Sequence, residues 1–366
     1  MIKKGGNQKD KINDNGNICE YNIKELKMNK DIISKISGFQ VTSDKMRLIE
    51  EFFANNVQNY INFVSDFKIK VENSPNYSSS SQDTLNKATF NIVKTGHELE
   101  QSIVHKQTII EIKELFRKLI YPYMSQSIIM KRALDKPRGY PGDYMMLEYI
   151  YDDKAVSSGL GMYFDLGFLR SRLTMAVRDR KDMMRVVLQN IIKKRDKLNI
   201  LNLASGSIRE IRELSPDLLN NISNLTCVDF DSEALEYSKS KLKGINASFL
   251  QKDLVDMVKK GDRSLIENSD LIYSIGLIDY FPDRMLLKLI TLILSGMKSG
   301  SKCVLTIKDV DQYKPIQEDW LTDWKFVPRT EDDIVRLIKK ANIQDIDISL
   351  SRDDSKVIIF FEITKK

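Results

Sequence analysis

Histidine is the scarcest of the residues that chemistry often recruits: the 366-residue chain has only His97 and His105, which excludes a multi-histidine metal centre or a relay of several imidazoles. No metal site is expected. The three cysteines, Cys19, Cys227 and Cys303, lie far apart and form no CxxC pair, excluding a cysteine-built zinc site or a disulfide framework. A reducing compartment fits that usage. No stretch offers the ~20 uncharged apolar residues of a membrane span, because Lys288 interrupts the best candidate, MLLKLITLILSGM. The opening MIKKGGNQKDKINDNGN has no apolar region of the kind a secretion signal needs, so a cytoplasmic protein is expected. A large excess of one charge sign is missing too: 57 Lys+Arg stand against 51 Asp+Glu, and +6 over this length does not by itself mark a nucleic-acid binder.

What is present is material for a core. Hydrophobic residues make up 42%, and the length exceeds one average domain. Residues 1–42 are rich in Lys, Asn, Asp and Gly without periodicity and read as a flexible arm. From Ser43, a candidate N-cap, Met46, Ile49, Phe53, Val57, Tyr60, Val64, Phe67 and Val71 follow in steps of three and four, the spacing of a one-sided helix. SPNYSSSSQD (74–83) reads as a flexible linker, and a second helix is expected over 98–124, with His105 inside its pattern. Shorter helices should flank the loop DKPRGYPGDY (135–144). Residues 168–195 carry another helical stripe, with charge expected opposite it: segment 170–197 holds ten basic residues against Asp179, Asp182 and Asp196. That segment is either a solvated face or a patch for an anionic substrate or RNA.

Beyond Leu198 short apolar runs alternate with amphipathic stretches, as in a parallel α/β domain. Candidate strands are 199–204, 225–230, 247–251, 270–275 and 302–307, with helices over 232–242, 282–297 and 331–340. IQDIDISL and KVIIFFEI, split by SRDDS, predict an antiparallel hairpin at one sheet edge. The expected layout is therefore an arm (1–42), a helical lid or substrate domain (43–197) and an α/β domain (198–366).

The first strand leads into ASGSIRE (204–210), a small-residue turn that opens a helix and lets a ligand approach the backbone. The second strand ends near Asp229, 23 residues beyond Gly206, where a carboxylate can accept from ribose hydroxyls. The third ends near Asp253, and the fourth runs into SIGLIDYFPD (274–283). All four lie on the carboxyl edge of such a sheet, where ligands bind. An NAD-linked enzyme would use the same turn and acid, but this chain lacks the full GxGxxG and has the terminal hairpin. Asp229 and Asp253 could also simply cap the helices that come after them. In RGYPGDY the glycines and proline could form turns only, or Arg138, Tyr140, Asp143 and Tyr144 could close over ligands. Trp320 and Trp324 either roof a pocket or fill the core.

This ordered set resembles the class I S-adenosylmethionine-dependent methyltransferases, whose fold is a Rossmann-like sheet of seven strands ending in such a hairpin. The resemblance implies S-adenosylmethionine as cofactor, with Ala204, Ser205 and Gly206 at its amino-acid part, Asp229 and Phe230 at the ribose, and Asp253 and Leu254 at the adenine. Ser274 and Gly276 would line the methyl-transfer side, with Arg138 and Tyr140 closing from the helical part. The sequence departs from the family pattern at Asn202, Ala204 and Ile208, where the family commonly has an acid and two glycines. KPRGYPGDYMMLEYIY (136–151), GLIDYFPDR (276–284) and DWKFVPRTEDDI (323–334) further resemble a bacterial group assigned to biosynthesis of a hydroxy-fatty-acid methyl ester (3-hydroxypalmitate) signal. The shortage of histidine and the abundance of Tyr, Phe and Met in the helical part point to a small, partly apolar acceptor, an acyl compound or carboxylate, methylated on a carboxyl or hydroxyl oxygen with the carboxyl as the leading expectation. A carboxylate needs no general base. A hydroxyl or amine would need one, with Asp143, Tyr280, Asp279 or His105 as candidates and Tyr144 beside them. The alternatives are an RNA or protein methyltransferase using segment 170–197, or a cofactor-binding module without turnover; a homodimer stays open.

Overall fold

The computed structural model describes residues 35–366 apart from Ser37 and Pro75, so most of the arm expected over 1–42 lies outside the described residues. The arm's last part is docked: Ile36 is fully buried, and Phe39 and Val41 pack on the helical core. Thr42, rather than Ser43, precedes the helix Ser43–Glu51, which continues through a π-helical stretch, Phe52–Val57, into Gln58–Asn73. The supposed serine-rich linker is mostly helix. Ser78 is an N-cap that accepts from the Ser81 amide, and Ser79 already opens the helix Ser79–Ser102. The helix expected over 98–124 is broken where Ile103 turns extended and buried; His105 then caps a new helix, Lys106–Met124, instead of lying inside one.

Helices Ile128–Asp135 and Tyr144–Asp152 flank the RGYPGDY loop, and Gly159–Leu169 completes the helical part. Its core is closed by a residue from far along the chain. Trp320, on the helix Ile316–Thr322, packs edge-on to Phe52 and Phe116 at 5.9 and 5.6 Å between ring centroids. Gly96 permits this, since a Cβ there would lie 2.8 Å from the Trp320 ring. Trp320 and Trp324 thus belong to the same apolar core as the helices of residues 43–169.

The sheet has seven strands: β1 Leu198–Leu203, β2 Ile222–Asp229, β3 Ala247–Gln251, β4 Leu271–Ile275, β5 Lys302–Lys308, β6 Ile346–Arg352 and β7 Ile358–Lys365. They lie in the order β3-β2-β1-β4-β5-β7-β6, and the fold is Rossmann-like, with the expected hairpin inserting β7 antiparallel to β5. β1, β4 and β5 are buried on both faces, which is why they read as nearly continuous apolar runs. One face is covered by the helix Arg172–Ile192 through Met184, Leu188 and Ile191, the other by Asp283–Gly296 and Glu331–Lys340. The Arg172–Ile192 helix therefore packs on the sheet, although it precedes the residue-198 boundary. Its charge is not confined to the outer face: Arg180 and Lys181 are both buried.

Candidate functional site

A cavity of about 270 Å³ opens at the carboxyl ends of β1, β2, β4 and β5, roofed by the helical part. Its floor begins with the turn after β1. Ala204, Gly206 and Ile208 all adopt left-handed backbone, with φ of 55°, 53° and 48°. A non-glycine residue there costs roughly 1–2 kcal/mol, so Ala204 and Ile208 both sit at strained positions. Ala204→Gly is expected to stabilise the protein by about 1 kcal/mol, measurable as a higher denaturation midpoint; a lower midpoint would show that the Ala204 methyl contributes more by contact than its backbone loses. The helix after this turn has only four residues, Arg209–Arg212, and so offers no developed helix start.

Asp229 joins the turn to β2. Its Oδ2 accepts from the Gly206 amide at 2.8 Å and its Oδ1 from the Asp231 amide at 3.0 Å. Burial pushes its carboxyl above the usual range, an effect those amide bonds oppose. Phe230 comes next at the rim, half-exposed, with the Tyr140 ring tilted against it at 5.6 Å. Tyr140 and Tyr144 of the RGYPGDY loop line the cavity, as do Gly142, Gly276, Tyr280, Lys308 and Trp324. Gly142 is a packing requirement: a Cβ would lie 2.7 Å from Trp324 and 3.2 Å from the Tyr280 hydroxyl. The Tyr280 hydroxyl accepts from Trp324 Nε1 at 2.8 Å, leaving its own proton for another acceptor. Burial pushes that phenol well above its ordinary pKa, so Tyr280 is a donor rather than a general base. Lys308 is held by Asp279 at 2.6 Å and lies over the Phe326 ring at 4.0 Å. Burial depresses its pKa, and Asp279 partly restores it.

The cavity thus gathers Ala204, Gly206, Asp229, Phe230, Gly276, Tyr140, Tyr144 and Tyr280 of the residues singled out by sequence. Others stand elsewhere. Asp253 is exposed and caps the next helix by accepting from the Val255 amide, while Leu254 fills the apolar core. Ser274 is buried and donates to the Leu203 carbonyl, tying β4 to β1. Ser205 is buried beside the turn without lining the cavity. Arg138 pairs with Asp231 and Glu233 at the start of the helix Ser232–Lys241 and so latches the loop to the β2 edge. Asp143 is fully buried; its Oδ1 accepts from the Met146 amide as an N-cap and from Arg132 Nε at 2.8 Å, while its Oδ2 lies 2.8 Å from a terminal nitrogen of Arg132 as an ion pair. It anchors the loop and is not directed at the cavity. His105 is exposed, with Nδ1 2.9 Å from the Thr108 hydroxyl, away from the cavity lining. Asp279 is engaged by Lys308. Sequence reasoning missed Lys308; it weighed Gly142 only as a glycine of the loop and Arg180 only as one of the ten basic residues of segment 170–197, although Arg180 sits on the apolar stripe between Val177 and Met184.

No protein-family model matches the chain, and no curated protein matches its sequence. Solved structures do resemble it. A possible exported protein from Bordetella parapertussis is 18% identical, with 61% of this chain and 79% of that chain covered at a TM-score of 0.49. Magnesium protoporphyrin IX methyltransferase from Synechocystis PCC 6803, with bound SAM, is 12% identical over 53% of this chain and 84% of its own, at a TM-score of 0.39. The N-methyltransferase NodS from Bradyrhizobium japonicum WM9, in complex with S-adenosyl-L-homocysteine, is 12% identical over 51% of this chain and 87% of its own, at 0.38.

Proposed function

We propose that the cavity binds S-adenosylmethionine and that the chain transfers its methyl group to a small-molecule acceptor, at a carboxyl or hydroxyl oxygen. The observation that carries this reading is Asp229. Each of its oxygens takes one backbone N–H, and a carboxylate oxygen has two acceptor positions. One position per oxygen thus remains for a pair of vicinal hydroxyls such as those of a ribose. Tyr140 and Phe230 provide aromatic surface beside that point for a purine. The sulfonium cofactor, when bound, supplies an already electrophilic methyl group. What remains for the protein is to align an acceptor lone pair and exclude water.

Tyr280 donates its free phenolic proton to the acceptor and orients it, while Trp324 and Tyr144 form apolar walls. The ordering of this wall by Gly142 and the Asp143–Arg132 pair couples the helical part to the acceptor side. The basic segment does not support an RNA surface as well, because much of its charge is engaged within the fold. Lys181 pairs with Glu213 at 2.6 Å, Arg178 with Asp153 at 3.1 Å, and Arg195 donates to the Gly300 carbonyl.

Calorimetry with S-adenosylhomocysteine and a metabolite-extract screen with methyl-labelled cofactor test the reading. Binding without any labelled product would leave a cofactor-binding module; no binding would end the proposal. On an acceptor so found, Tyr280→Phe is expected to lower kcat about tenfold, the worth of one hydrogen bond near 1.4 kcal/mol, with cofactor affinity unchanged. Wild-type turnover in that variant would remove Tyr280 from the acceptor side.

A further inference from the structure

Arg180 is the cavity residue that the proposed methyl transfer leaves without a task. It projects from the helix Arg172–Ile192 into the cavity wall with 3% of its surface exposed. Its tip lies over the backbone after β4: a Cβ built on Gly276 would meet the two terminal nitrogens at 2.6 and 3.0 Å. Gly276, at φ 97°, is therefore bare both for its own conformation and to seat this guanidinium. Among the described residues Arg180 stands in no ion pair, and its Nε has no hydrogen-bond partner. Of the other buried charges nearby, Lys308 has Asp279, while Glu210 accepts from the neutral Tyr273 and Asn202 and feels Arg180 through space without forming an ion pair with it. The Tyr151 phenol also lies against Arg180; burial pushes it up to about 12, and the guanidinium holds it back.

A buried, unmatched guanidinium is costly unless an anion meets it, and its planar fork suits a carboxylate. We infer that Arg180 is the receptor for a carboxylate brought into this cavity by a ligand, and that it selects for ligands carrying one. The carboxylate has two sources within the proposed function, on which this inference rests: the amino-acid end of the cofactor, or the acceptor. Arg180 acts on either by neutralising charge and fixing orientation through two parallel N–H donors.

Three probes separate these sources in wild type, Arg180→Met and Arg180→Lys, all as full-length protein. S-adenosylhomocysteine carries the carboxylate; 5′-methylthioadenosine has the same nucleoside and thioether without it; benzoate is a carboxylate with an aromatic body suited to the tyrosine-lined walls. If the cofactor supplies the anion, wild type binds S-adenosylhomocysteine at least tenfold more tightly than methylthioadenosine. Arg180→Met then loses that preference while keeping its affinity for methylthioadenosine, and Arg180→Lys recovers only part. If the acceptor supplies it, the nucleoside preference survives in Arg180→Met, and benzoate titrated into the S-adenosylhomocysteine complex binds wild type but not the variant. An unchanged nucleoside preference together with unchanged benzoate binding overturns the inference. Should wild type bind neither nucleoside, the methyl-transfer reading fails separately, and benzoate binding to the free protein, lost or kept in Arg180→Met, still decides the matter. The melting temperature gives a further readout. A receptor for an absent anion is a liability in the free protein, so Arg180→Met should melt no lower than wild type, whereas a structural arginine would melt lower when replaced. If Arg180→Met melts below wild type, the inference is overturned.

Discussion

Asp143→Ala is expected to cost about 3–5 kcal/mol of stability, because it strands Arg132 and removes an N-cap in the same stroke. The carboxylate is fully buried, with Oδ1 taking both hydrogen bonds and Oδ2 beside the same guanidinium, so its loss leaves a buried charge unpaired. Asp143→Asn keeps an acceptor for the Met146 amide and should recover about 1 kcal/mol of that loss. Chemical denaturation measures both. The proposed methyl transfer should decline in step with the melting temperature, since the loop that Asp143 anchors carries Tyr140 and Tyr144 into the cavity. A variant that melts like wild type yet loses all turnover would instead return Asp143 to the chemistry.

Asp229→Ala is expected to weaken S-adenosylhomocysteine binding by roughly 10- to 100-fold, the worth of hydrogen bonds to a charged acceptor at about 1.5–3 kcal/mol. Its pH dependence is a sharper check. Burial raises the folded-state pKa of this carboxyl, so ionised Asp229 lowers the stability of the free protein as pH rises through that pKa. Ribose hydroxyls donate to the ionised form, so affinity should fall as pH is lowered through the same range. In Asp229→Asn that slope should vanish. Affinity in Asp229→Ala equal to wild type, in a folded protein, would remove Asp229 from the cofactor site.

The sheet is legible in the sequence because its central strands are buried on both faces and their apolar runs have few competing interpretations. Ala247–Gln251 and Glu331–Lys340 coincide with their expected spans. The helical part is harder. Its serines look like linker residues until one of them proves to be a cap, and the break at Ile103 carries neither glycine nor proline. At the site, residues whose backbone position determines their place, such as Gly206, Asp229 and Gly276, are found from spacing along the chain. Residues whose role depends on a partner far away in sequence are not. Nothing local reveals Arg132 as the counter-ion of Asp143, and nothing in the residue type separates a cap from a ligand contact at Asp253. Arg180 does leave a trace: three residues after Val177 and four before Met184, it occupies an apolar position of its helix.

The placement of Trp320 and Trp324 separates the order of the chain from the parentage of its parts. Both come after β5 in sequence, yet one completes the core of helices formed some 200 residues earlier and the other forms a wall shared with them. A chimera that replaced residues 43–197 with the counterpart from another protein would face two indole rings shaped for the segment it had lost. Exchange of whole modules is thereby discouraged. New acceptor preferences in such a chain would arise more readily from single substitutions at the cavity wall, or from paired changes on both sides of the indoles, than from recombination at the boundary the sequence suggests.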